Sequence, residues 1–161
     1  MTNKIIYLKI YPDDYGVLTG IMVAAFNEDT SMHTELKEDG PGGYDNGSLI
    51  KRLNEQENLT SYKVVYNNSI IGMYTVEIKT NSEYGLEMLF IDTKYRRKHL
   101  GTMVWRDIEE KYIGAKKWTV ETPDYSKRNH YFYTEKCGFV FNRENICLNG
   151  AKSFIFEKLK L

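Results

Sequence analysis

The chain has 161 residues, 42% hydrophobic and 27% charged, an ordinary globular balance that excludes a disordered, collagenous or coiled-coil chain. Lys plus Arg number 22 and Asp plus Glu 22, so the formal net charge is zero, which argues against a dedicated nucleic-acid binder. Two cysteines, Cys137 and Cys147, cannot build a disulfide framework, no apolar run approaches the ~20 residues of a membrane span, and the N-terminus lacks a signal peptide's apolar core, so one cytoplasmic domain over 1–161 is expected.

Residues 4–10 (KIIYLKI) are β-rich and predict a strand. Pro12-Asp13-Asp14 starts a helix whose apolar residues Val17, Leu18, Ile21, Met22, Ala25 and Phe26 fall at helical spacing. Gly16 and Gly20 weaken it by about 1 kcal/mol each. Residues 27–47 are polar and turn-rich around Gly40-Pro41-Gly42-Gly43 and carry Glu28, Asp29, Glu35, Glu38, Asp39 and Asp45. They predict a long acidic loop, either functional or simply solvated. A short helix over 47–56 follows. Tyr62–Tyr66 and Ile70–Ile78 flank Asn67-Asn68-Ser69, a hairpin signal. The strand from Tyr84 to Ile91 is apolar on both faces except for Glu87, which predicts a central strand covered on both sides.

After Tyr95 the pattern changes to a helix. Leu100, Val104, Ile108 and Tyr112 step along one face, with Met103 and Trp105 widening it, and Gly114 ends it. Trp118-Thr119-Val120 is a short strand. Asp124 to Lys136 is a loop and then a helix closed by Gly138, and Phe139–Phe141 and Ser153–Phe156 are a final strand pair. The order β α α β β β α β α β β is that of an α/β protein with a mixed sheet.

A strand followed by a basic, glycine-containing turn into a helix is suited to binding phosphate. The first helical N–H groups lack intrahelical partners and the helix dipole favours an anion there. Arg96, Arg97 and Lys98 add positive charge, and Gly101 allows close backbone approach. No G-x-x-x-x-G-K-[ST] is present, which excludes a P-loop NTPase, and no G-x-G-x-x-G follows the first strand.

At Arg96-Arg97-Lys98-His99-Leu100-Gly101 the chain resembles the GNAT family of acyl-CoA-dependent N-acyltransferases. Its loop motif, [Q/R]-x-x-G-x-[G/A], holds the CoA pyrophosphate on backbone amides. Arg96 and Gly101 match, while His99 stands where the first glycine is usual. A non-glycine residue fits there if its φ stays negative. The strand Leu86–Asp92 is similar to the strand before that loop, and Asn129 to Phe139 is similar to the family's N-x-x-F-Y-x-x-x-x-G-F variant. The commoner form has one residue fewer between Tyr and Gly, so the tyrosine position falls on Tyr133 or, in the other register, on Thr134. Trp118 to Asp124 (WTVETPD) resembles a bacterial subgroup of the family. The similarity covers residues 60–141 well and the N-terminal part by element order only.

The resemblance implies a GNAT-like mixed, mostly antiparallel sheet flanked by helices, with strands four and five splayed to hold acyl-CoA. Backbone groups of Leu89, Phe90 and Ile91 would receive the pantetheine arm. Arg96, Arg97, Lys98, His99, Leu100, Gly101 and Thr102 would hold the phosphates, and Asn129 the pantetheine region. Glu87 matches a family general base, against the readings of a substrate-orienting or merely solvated glutamate. Tyr133 would protonate the departing thiolate, against a core aromatic. The activity implied is transfer of an acetyl group from acetyl-CoA, a cosubstrate, to a small amine. The acidic loop suggests a cationic one such as a polyamine or aminoglycoside. The alternative is a non-catalytic acyl-CoA-binding module of the same fold. No metal is expected, because His33, His99 and His130 are dispersed. Nucleic-acid and membrane partners are not expected either, and a homodimer is compatible with the sequence.

Overall fold

Strand-forming alternation in the middle of the chain builds the sheet's centre. The computed structural model describes residues 4–96 and 98–160. Its strands are β1 (Ile5–Lys9), β2 (Leu59–Tyr66), β3 (Ser69–Ile78), β4 (Glu83–Ile91), β5 (Lys117–Pro123), β6 (Val140–Ile146) and β7 (Lys152–Leu159). They form one seven-stranded sheet in the order β1-β2-β3-β4-β5-β7-β6. Every pairing is antiparallel except β4 with β5. The β2–β3 hairpin turns on Asn67 (φ 50°) and Asn68 (φ 67°). Positive φ at both central residues matches the right-handed twist of the strands, which is why asparagine is favoured there.

Helix α1 (Tyr15–His33), preceded by a 3₁₀ turn at Pro12–Asp14, and helix α2 (Ser48–Glu55) cover one face. They bury Leu18, Met22, Leu49, Ile50 and Leu53 against Met73 and Phe90. Helix α3 (Leu100–Lys111) and helix α4 (Lys127–Tyr131) lie with the other core, where Leu100, Val104, Trp105 and Ile108 meet Tyr74, Val76, Leu86 and Trp118. The β4 strand is central and contributes to both clusters, as its two-faced apolar pattern predicts. On α3 the expected stripe is narrower, because Met103 is exposed.

The N-terminal helix is longer than the periodicity predicts. It runs through residues expected to be loop and ends at His33. The polar segment is helical because distant groups satisfy it. Asp29 Oδ2 accepts from Ser126 Oγ at 2.6 Å, and Thr30 Oγ1 donates to the Asp39 carbonyl at 3.0 Å. Asp29 and Thr30 are consequently buried. The remaining loop is pinned by Tyr44, whose hydroxyl donates to Asn27 Oδ1 at 2.7 Å and whose ring packs edge-on to Phe26.

Near the C-terminal end α4 runs straight into a π turn, Phe132–Lys136. Its bonds include Cys137 N–H to the Phe132 carbonyl at 3.1 Å and Phe139 N–H to the Tyr133 carbonyl at 2.9 Å. A π turn accommodates one extra residue within a helix. The four-residue spacing between Tyr133 and Gly138 is absorbed there. Tyr133 is buried in this turn, whereas Thr134 is part-exposed and its hydroxyl donates back to the His130 carbonyl at 2.8 Å.

Candidate acyl-transfer site

The site begins at an irregularity in β4. Val76 of β3 opposes Leu86 and Thr75 opposes Met88, so Glu87 is an extra residue in the ladder. A bulge bends and twists its strand locally. The parallel pairing with β5 spans Glu83–Leu86 against Lys117–Val120 and stops there. Beyond it β4 continues to pair with β3 as far as Ile91, while β5 pairs with β7 as far as Pro123. The facing edges of β4 and β5 part, and backbone groups after Glu87 have no β5 partner.

A cavity of about 590 Å³ lies against the part of β4 that has no β5 partner. Leu89, Phe90 and Ile91 form one wall, and α1 contributes Ala25, Phe26, Glu28, Asp29 and Met32. The loop after β4 and the start of α3 add Tyr95, Arg96, His99, Leu100, Gly101 and Thr102. Arg128, Asn129, Tyr131, Phe132, Tyr133 and Lys136 complete it from α4 and the π turn.

The first bond of α3 runs from Met103 N–H to the His99 carbonyl at 3.2 Å. The Leu100, Gly101 and Thr102 amides precede it, so their N–H groups have no intrahelical acceptor. His99 is the N-cap residue with φ 57° and ψ 23°. The expectation of a negative φ is therefore corrected: the histidine adopts the left-handed conformation that a glycine would take at little cost. Its side chain is exposed at the cavity. Gly101 also lines the cavity. A Cβ there would lie 3.3 Å from the Phe132 ring, so its missing side chain also permits close packing of α3 on the π turn.

Arg96 is not free. Its Nη2 lies 2.6 Å from Glu28 Oε1, and Arg128 Nη1 lies 2.8 Å from the same oxygen. Burial and the neighbouring Arg128 charge lower the Arg96 pKa, and Glu28 opposes them. Lys98 is turned toward the Tyr95 ring, 5.9 Å from its centroid, and is not part of the lining. Arg97 lies outside the described residues.

Tyr133 lines the cavity while its ring packs on Phe132 and Phe139. Burial holds its hydroxyl well above the ordinary tyrosine range, so it stays protonated at neutral pH. Glu87 does not line this cavity. It is exposed two residues before Leu89. Desolvation by the surrounding sheet, then the Glu77 charge, raise its pKa, while Arg52 and Lys79 lower it. Its charged neighbours come from α2, β3 and β5, which places the carboxylate at the junction of those elements. Two expected acids of the loop, Glu28 and Asp29, are instead helical and paired.

His130 and Cys137 are accounted for by packing. His130 Nε2 lies 2.9 Å from the Pro123 carbonyl and its ring stacks on Phe154. Cys137 is buried, with burial pushing its thiol up to about 12. No group of three or more metal-ligating side chains occurs among the described residues.

The profile of the Acetyltransferase (GNAT) family matches residues 22–139. The chain belongs to this family. Membership implies acyl transfer as the class of chemistry. The GNAT fold is shared with an acetyltransferase from Thermus thermophilus, at TM-score 0.76 and 11% identity over 98% of this chain and 97% of that one. It is also shared with PaiA N-acetyltransferase from Thermoplasma acidophilum, solved in complex with coenzyme A, at TM-score 0.71 and 15% identity over 99% and 100%. A GNAT acetyltransferase from Elizabethkingia anophelis with acetyl-CoA bound gives TM-score 0.67 and 16% identity over 98% of both chains. In sequence the chain is 28% identical over 103 residues to the uncharacterised protein YrkN of Bacillus subtilis (strain 168). That match covers 63% of this chain and spans about half, 55%, of YrkN. No helix among the described residues is long and apolar enough to cross a membrane.

The GNAT motif residues Leu89, Phe90, Ile91, Arg96, His99, Leu100, Gly101, Thr102, Asn129 and Tyr133 all meet at one cavity. Sequence reasoning missed Glu28, Arg128 and Lys136 there. Arg128 directly precedes the motif asparagine, which is the one local signal that could have pointed to it.

Proposed function

We propose that the protein is an N-acetyltransferase that moves an acetyl group from acetyl-CoA to a small amine. The observation that carries the reading is the convergence of three features on one cavity: an unpaired β4 edge, the open amides of α3, and a buried, protonated Tyr133. The residues fit acyl-CoA. Leu89, Phe90 and Ile91 offer strand-like hydrogen bonds to the amide-bearing pantetheine arm. Leu100, Gly101 and Thr102 amides, with Arg96, complement the diphosphate. Acetyl-CoA supplies the activated thioester.

The ammonium first loses a proton to Glu87, relayed by solvent because Glu87 does not line the cavity, and the freed amine nitrogen then attacks the thioester carbonyl carbon. A β4 amide at or near Leu89 stabilises the oxyanion. The C–S bond then breaks as Tyr133 gives its proton to the departing thiolate, and the second N–H proton, lost from nitrogen as the amide forms, restores Tyr133. A raised carboxyl pKa suits a general base, because a base works best with a pKa near the working pH. The loop acids Glu35, Glu38, Asp39 and Asp45 favour a cationic amine over a neutral one.

The test is release of free CoA thiol from acetyl-CoA across a panel of amines, beside calorimetric titration of acetyl-CoA. Binding together with amine-dependent release is expected. Binding without release by any amine would favour a non-catalytic acyl-CoA-binding module, and no binding would reject both readings.

A further inference from the structure

The loop motif accounts for Arg96 but not for the second guanidinium beside it. Arg128 belongs to α4, across the cavity from the β4–α3 loop, yet it reaches the same Glu28 oxygen as Arg96, at 2.8 Å against 2.6 Å. Two cations at this spacing repel, so they converge only because an anion lies between them. Glu28, projecting from α1, is that anion. All three side chains line the cavity and each is about one-third exposed, at 36%, 31% and 34% for Arg96, Arg128 and Glu28. An ion pair this exposed holds weakly. Each guanidinium has five N–H donors and one carboxylate oxygen occupies few of them, leaving a fork suited to phosphoryl oxygens. The rest of α1 does not depend on Glu28, since Asp29 and Thr30 anchor it to Ser126 and Asp39.

We propose that Arg128 is a second diphosphate-binding residue of the acyl-CoA site, and that Glu28 is an internal anion which the incoming diphosphate displaces from the Arg96–Arg128 pair. The inference rests on the acyl-CoA reading above. In the ligand-free protein Glu28 neutralises the fork and holds it closed across the cavity. In the complex the diphosphate sits between the α3 amides and both guanidiniums, and the Glu28 side chain turns away.

Calorimetric titration with CoA separates the outcomes. Arg128→Gln is expected to weaken CoA by about 10-fold to 100-fold, the value of a charge-assisted hydrogen bond. Arg128→Lys keeps the charge but not the fork and is expected to fall between. Glu28→Gln removes the competitor and is expected to tighten CoA by about tenfold, a modest charge effect, while lowering the ligand-free Tm. Circular dichroism checks the fold, and Arg128→Lys carries the test if Arg128→Gln fails to fold. If the wild type binds CoA and the Arg128 variants bind equally well, the inference is overturned and the acyl-CoA reading stands. Weaker binding by Glu28→Gln would make Glu28 a positioning residue and overturn the displacement. If the wild type does not bind CoA, the reading falls and the inference with it.

Discussion

Glu87 owes its raised pKa chiefly to desolvation, with Glu77 adding like charge. If it is the base, Glu87→Gln should lower kcat about 10²–10⁴-fold at neutral pH. The deficit should shrink as pH rises, because free amine then forms without help. A pH–rate profile of both proteins decides this, and a loss equal at every pH would assign Glu87 to substrate positioning. The same shift affects stability. A carboxyl whose folded pKa is raised favours folding in its protonated form. That contribution is complete below the ordinary carboxyl range and is lost as pH rises through the raised folded value. Gln mimics the protonated form, so Glu87→Gln should raise Tm at neutral pH and change it less near about pH 4. His99 has a different cost, since the left-handed conformation disfavours a side chain by roughly 1–2 kcal/mol. His99→Gly should stabilise the protein by about 1 kcal/mol in urea denaturation, part of the relief being offset by glycine's chain entropy. A destabilised variant would mean that the imidazole makes a compensating contact.

Two irregular elements shape the cavity. The β4 bulge at Glu87 accompanies the separation from β5, and the π turn places Tyr133 in the core. Gly72 guards the far end of the β3–β4 ladder. It opposes Ile91, and a Cβ there would lie 2.0 Å from the Phe90 carbonyl oxygen. Because the obstruction is backbone, no side-chain rotation can relieve it. Gly72→Ala should cost about 1–3 kcal/mol, toward the upper end of an overpacking penalty. It should also weaken CoA binding, since β4 is the cavity wall. Urea denaturation and calorimetry check the two parts. At Gly101 the obstruction is the edge of an aromatic ring, so Gly101→Ala should cost less than Gly72→Ala, and Phe132→Leu should recover part of the loss.

For the molecule as a whole, ligand binding should register as stability. The cavity lies between elements from the two faces of the sheet: α1 from one, the start of α3 and α4 from the other. A ligand bridging them stabilises the native state alone. At 100 times its Kd acetyl-CoA should contribute about 2.7 kcal/mol. For a chain of this length that is a rise in Tm of roughly 5–10 °C. A thermal-shift titration that stays flat at millimolar acetyl-CoA would reject the site.

Patterns confined to a short window are legible in the sequence. The period of Leu100, Val104 and Ile108, the two-faced run 86–91 and the Asn67-Asn68 turn each encode a local conformation through burial or backbone preference, and each is present in the structure. The motif residues likewise gather at one cavity because their spacing reflects a strand, a loop and two helix starts. Periodicity alone ends helix α1 too early because its last turns are polar, and their partners are Ser126 and Arg128, about a hundred residues away. The extra residue after Tyr133 can be counted in the sequence but not placed, because only packing against Phe139 and the α3 start decides between a π turn and a shifted register. The positive φ of His99 and the sharing of Glu28 by two arginines belong to the same class. Periodicity and turn chemistry depend on neighbours along the chain, whereas charge pairing and backbone strain at the cavity depend on which distant elements the completed core brings together.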